Sequence, residues 1–206
     1  MLKFVLKCLT VCVLMVAAYA LWPRQPSMGE FSPRGMADLD VAAWRDVSEG
    51  RRGAALLSFY RVYEGQYRLP PVDALRAAWS ALQAVSIFLA AADRADQEGA
   101  LPYLENVFGI LSGATGMVGD GKVAARLQLF EWMLASDSRK RAELATVVAE
   151  KLALVHGVSA GSMEPVAAPL SKGIGLRADR KWRAAEGAME KGFELLKTRL
   201  SEKESL

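Results

Sequence analysis

The chain has 206 residues, 52% hydrophobic and 24% charged, so it can bury a core and is too apolar for a disordered tail. Its formal net charge is +3, and +1 once residues 1–22, with Lys3 and Lys7, are set aside. The pI near 8.9 is therefore no nucleic-acid footprint, which needs basic residues gathered on one face and interleaved with aromatics.

The first segment, MLKFVLKCLTVCVLMVAAYALWPR, has two readings. As a signal peptide, Lys3 and Lys7 precede an apolar stretch from Cys8 to Ala18, and Ala18-Tyr19-Ala20 supplies a small-residue cleavage site. As a transmembrane anchor, Phe4 to Trp22 gives 19 residues, roughly 28 Å of helix. The anchor is favoured, because Tyr19 and Trp22 sit where aromatic rings gather at a bilayer interface. Both readings export the rest. Lys3 before the span and Lys7 snorkelling from its first turn to the inner face predict a single-pass protein of the inner (cytoplasmic) membrane, N-terminus in, with its domain in the periplasm or otherwise extracytoplasmic. Cys8 and Cys12 read as small apolar residues in lipid; Lys7 and Val11 before them do not suit a lipoprotein site. Residues 13–206 hold no cysteine, which excludes a disulfide, a zinc-thiolate cluster, an iron–sulfur site and CxxCH haem attachment there.

Residues 23–36 are rich in Pro, Gly and Ser and read as a linker, leaving 37–206 as the domain. From Met36 onward the apolar spacing is helical and no alternating strand stands out, so the expected fold is all-α: a bundle or stacked hairpins of about six to eight helices. Residues 37–64 read as two helices broken near Gly50-Arg51-Arg52-Gly53. The clearest helix runs from Val72 to about Ala92, with Val72, Leu75, Trp79, Leu82, Ser86 and Leu89 at the spacing of an apolar stripe. Others start near Pro102 and run over about Lys122–Ala135, where Val123, Leu127, Phe130 and Leu134 align. Two more follow, one ending at Gly157 and one over about Arg180–Lys203. Four tryptophans on these helices show no fixed period, so a helical repeat is unsupported.

GMVGDGKV, Gly116 to Val123, is one residue short of a phosphate-binding loop. Val123 stands where Ser or Thr would hold Mg²⁺, and the segment before it has helical spacing. It reads as a helix end, a turn, and Asp120 capping the next helix, so no nucleotide is expected. His156, the only histidine, reads as a packing or capping residue at a helix C-terminus. Pairing with Met163 on a haem is remote. Glu131, between Phe130 and Trp132, is the one odd carboxylate; it reads as solvated or paired with Arg126 or another base, and less readily as a general acid.

YRVYEGQYRLPP is the densest aromatic stretch, and Tyr60, Tyr63, Tyr67 and Arg68 in it suit a contact surface. The last helix carries Trp182, Met189, Phe193 and Leu196 on a narrow apolar line, which packs on its own bundle or docks on a partner. No cofactor, metal or catalytic residue is named by any pattern. The expected function is a membrane-anchored, non-enzymatic domain for protein–protein interaction, an accessory or assembly subunit of a membrane complex, held to the membrane through residues 4–22. The alternatives are an exported enzyme acting on cell-wall glycan with a glutamate acid, and a small-ligand-binding helical domain.

Overall fold

The computed structural model describes Leu9, Thr10, Pro26, Ser27 and residues 29–204. Apart from helical Leu9 and Thr10, the expected membrane segment lies outside the described residues. Among the described residues there is no strand. The helices are α1 (Pro33–Ser48), α2 (Arg52–Arg61), α3 (Pro71–Ala90), the short α4 (Arg94–Glu98), α5 (Leu101–Thr115), α6 (Gly121–Ser136), α7 (Leu144–His156), α8 (Ala160–Ala178) and α9 (Trp182–Glu204). Each long helix packs on the next long one, and α9 returns to α1, so the eight long helices close a ring. One buried cluster is built mainly from α2, α3 and α5, the other from α7, α8 and α9; α1 and α6 contribute to both.

The domain begins earlier than its composition suggests. Pro33 suits a first helical turn, and the Ser32 hydroxyl accepts from the Gly35 N–H at 3.1 Å, so α1 starts inside the segment read as linker. Phe31 is buried; its ring stacks edge-on against Phe193 at 5.9 Å, and its carbonyl accepts from Lys197 Nζ at 3.0 Å.

Two helices turn part of their apolar stripes outward, although Leu82 and Leu134 in those stripes are buried as expected. On α3, Val72, Leu75, Trp79 and Leu89 are exposed, while Ala74, Ala77, Ala78, Ala81, Ala84, Val85 and Phe88 are buried. On α6, Val123 and Phe130 are exposed, while Glu131 and Trp132 face inward. A ring explains this. Each helix is flanked by two neighbours, and alanines let the backbones approach, so these helices bury small residues on their flanks beside Leu82, Phe88, Leu129 and Trp132, and leave other large residues outside.

The sequence reading finds no helix over 160–178, yet α8 is central to the second core through Met163, Val166, Leu170 and Ile174. Pro165 and Pro169 concealed it, since each removes an interior helical donor. Pro165 and Gly161 lie on the exposed side, so the carbonyls deprived of donors face water. Gly173 then allows α9 to close in: a Cβ there would sit 3.1 Å from the Met189 nitrogen and 3.2 Å from the Ala185 oxygen.

Candidate functional site

The ring surrounds an internal chamber of about 210 Å³, lined from every long helix except α3. Its floor is aromatic. Trp44 of α1 meets Trp132 of α6 edge-on at 4.9 Å, and Phe88 packs on Trp132 at 5.3 Å. The Arg177 guanidinium lies 4.0 Å from the centre of a Trp44 ring, a cation–π contact that also ties α8 to α1. Phe59, Val107, Phe108, Leu152, Ile174 and Met189 supply apolar wall.

Polar groups enter this wall in pairs. Glu131 is 2% exposed; one oxygen accepts from Gln128 Nε2 at 2.7 Å and the other from Lys151 of α7. Lys151 also donates to Gln128 Oε1 at 2.9 Å, so the three side chains satisfy one another. Across the chamber, buried Arg177 pairs with Asp40 of α1. Two positive and two negative charges therefore cancel within the lining.

The remaining polar lining is neutral at pH 7. The turn that ends α2 is π-helical over Val62–Gln66, with the Tyr67 N–H donating to the Val62 carbonyl at 3.2 Å. That wide turn sets Tyr63 and Tyr67 into the chamber wall with ring centroids 6.1 Å apart. Such turns recur at functional sites. Burial raises the Tyr63 phenol, with Tyr67 and Asp40 adding to it, and pushes Tyr67 up to about 12. Burial, then the nearby Lys203 ammonium, push His156 down to about 4. Both tyrosines thus keep their protons and the imidazole stays uncharged.

Five of the residues expected to meet a partner are gathered here instead. Tyr63, Tyr67, Met189, Phe193 and Leu196 line the chamber, and Tyr63, Met189 and Leu196 are buried. The apolar line of the last helix packs on its own bundle, so a partner docking on this structure does not reach those three. Tyr60 lies outside, in a surface groove with Leu57 and Val72. Arg68 is exposed, paired with Glu30 at 2.5 Å. Trp182 lines a smaller cavity of about 140 Å³ behind the Trp44–Trp132 floor.

Other expectations also resolve. The glycine-rich loop follows α5, not a strand: Gly116 is left-handed with φ 69°, and Asp120 accepts from the Lys122 N–H at 2.7 Å at the start of α6. The cation at the end of α7 is Lys203, whose Nζ donates to the His156 carbonyl at 2.8 Å; the histidine itself is uncharged and set in the chamber wall, in keeping with its reading as a packing residue. Glu131 is paired with a base, as one of its readings has it, and that base is Lys151. Met163 is buried in the second core. Sequence reasoning missed Asp40, Gln128, Lys151 and Arg177. Lys151 carried a signal, a lysine inside the apolar run VVAEKLALV; Arg177 sat in the helix that the prolines hid. No family model, curated protein or solved structure matches this chain.

Proposed function

We propose that this protein is a membrane-tethered, extracytoplasmic binding domain that holds a small, uncharged, largely apolar molecule in the centre of its helical ring. The observation that carries this reading is the chamber of about 210 Å³ with internally compensated charges. A cavity of ~150 Å³ lined by apolar groups accepts benzene, so by proportion this one suits about eight non-hydrogen atoms. A charged ligand would find no uncompensated partner and would lose its hydration. An apolar body with one hydroxyl or carbonyl fits, since Tyr63, Tyr67 and neutral His156 offer hydrogen bonds on an otherwise greasy wall. Glu131 favours binding over acid catalysis: both its oxygens are engaged by Lys151 and Gln128.

The test is to purify the full chain, denature it and identify released small molecules by mass spectrometry. A paired Val107→Phe and Leu152→Phe variant, which fills the chamber, serves as control. A stoichiometric uncharged compound absent from the filled variant supports the reading; identical extracts from both, with nothing stoichiometric, refute it. The second reading is an accessory subunit of a membrane complex. It is favoured by Tyr60, Arg68 and Trp182, which remain within reach of solvent, and is tested by affinity purification in mild detergent.

A further inference from the structure

The outer face of α2 and α3 carries Leu57, Val72, Leu75 and Trp79, each about half exposed, with Tyr60 in the groove between the two helices. We infer that this face rests on the lipid bilayer, so that the ring lies against the membrane rather than hanging from it. The inference rests on the reading of residues 4–22 as an anchor.

Three observations point to lipid. The first is the tether. Pro26 shares a surface groove with Pro70, Asp73 and Arg76, and the Ser27 N–H donates to the Tyr67 carbonyl at 3.1 Å. The chain therefore reaches the domain at the first turns of α3, in the groove that α3 forms with α5, one flank round from Val72. Only four peptide steps separate Trp22 from Pro26, a reach of at most ~14 Å. Trp79 lies about 12 Å of helix beyond Pro71. A membrane-spanning segment ending at Trp22 thus holds the near end of this face within one short tether of the headgroups.

The second is residue chemistry. Trp79 and Tyr60 combine an apolar ring with a polar tip, the combination that gathers at the membrane–water boundary. The two helices that form the face carry exposed Arg52, Arg61 and Arg76 against Asp73, an excess of positive charge suited to anionic headgroups. The third is the helix itself. Among the described residues, α3 is long and apolar enough to cross a membrane by length and composition, yet half of it is buried in the ring. Such a helix has an apolar outer face without being free to insert, which suits lying along a surface.

The experiment uses the full chain in vesicles of phosphatidylcholine and phosphatidylglycerol in equal parts. Nitroxide labels are placed singly at Leu75→Cys, at Trp79→Cys and, as the control across the ring on α8, at Ala168→Cys, each with Cys8→Ser and Cys12→Ser. A separate chain keeps Cys12 and carries only Cys8→Ser. Accessibility to oxygen, which dissolves in lipid, is compared with accessibility to a water-soluble nickel chelate. The expected result is an oxygen preference at 75 and 79 several-fold above that at 168. If 75 and 79 match 168 while Cys12 is shielded from nickel, the anchor stands and the lipid face is wrong. Labels at 75 and 79 that meet neither reagent show a protein or a second copy covering the face, and also overturn the inference. If Cys12 is missing from the chain or open to nickel, the anchor reading itself fails, and this inference with it.

Discussion

Replacing Lys151 by Met tests the polar wall of the chamber. Lys151 is 14% exposed and its ammonium reaches both Glu131, 2% exposed, and Gln128. Methionine keeps the aliphatic stem and removes the charge. Glu131 then retains only the Gln128 amide, and an ionised carboxylate stays behind in a low-dielectric wall. Breaking a buried pair from one side costs about 3–5 kcal/mol. For a chain of this length that corresponds to a melting temperature lower by about 10 °C. Removing both charges, with Glu131→Leu added to Lys151→Met, should recover most of the loss, because apolar replacements of buried pairs are often neutral or stabilising. Circular dichroism melts of the full chain in one detergent provide the comparison. A single variant as stable as the parent would mean that Glu131 is solvated, and the account of the chamber wall would be wrong. A double variant that recovers none of the loss and stays well below the parent would show that the pair contributes net stability.

His156→Gln should flatten the pH dependence of stability between about 4 and 6.5. The folded state depresses this imidazole, so its contribution is complete above the unfolded value of ~6.5 and is lost as pH falls through the folded value of about 4. Solvent near the half-buried ring limits the effect to about 1–2 kcal/mol, and parallel urea titrations at the two ends of that window measure it; equal slopes in parent and variant would contradict it. Gly173→Ala should destabilise by about 1–3 kcal/mol, because the added methyl meets the backbone of α9; an unchanged midpoint in denaturant would show that α8 and α9 pack less closely than described. A reporter active only in the cytosol, fused after Leu206, should stay silent, and strong activity would place the domain on the other side of the membrane.

Much of this architecture is legible in the sequence, and the exceptions share causes. Periodicity places α3, α5, α6 and α9 to within a few residues, because 3.6-residue spacing survives whichever way a helix faces. It does not say which face is buried. In the most regular stripe of the chain Val72, Leu75, Trp79 and Leu89 are on the surface while Leu82 is in the core, because a ring of helices also buries alanine flanks. α8 was hidden by prolines that a helix tolerates when the orphaned carbonyls face water. In the site, Glu131 was visible as a charge among aromatics. Its partner was not, since Lys151 lies on another helix and only the closure of the ring brings them together. The tyrosines of YRVYEGQYRLPP drew notice as a contact surface; the π-helical turn, which no local pattern announces, directs Tyr63 and Tyr67 inward.

The most direct measurement of the central claim is quenching of tryptophan fluorescence by 2,2,2-trichloroethanol, an uncharged molecule with one hydroxyl that falls within the size limit of the chamber. Trp44 and Trp132 form its floor, so a bound probe sits against them. The full chain should show a saturable component above the linear collisional one. That component should vanish in the paired Val107→Phe and Leu152→Phe variant, and charged trichloroacetate, which is also small enough to enter, should not produce it. Quenching that is linear throughout, or a saturable component that persists when the chamber is filled, would contradict binding at the centre of the ring.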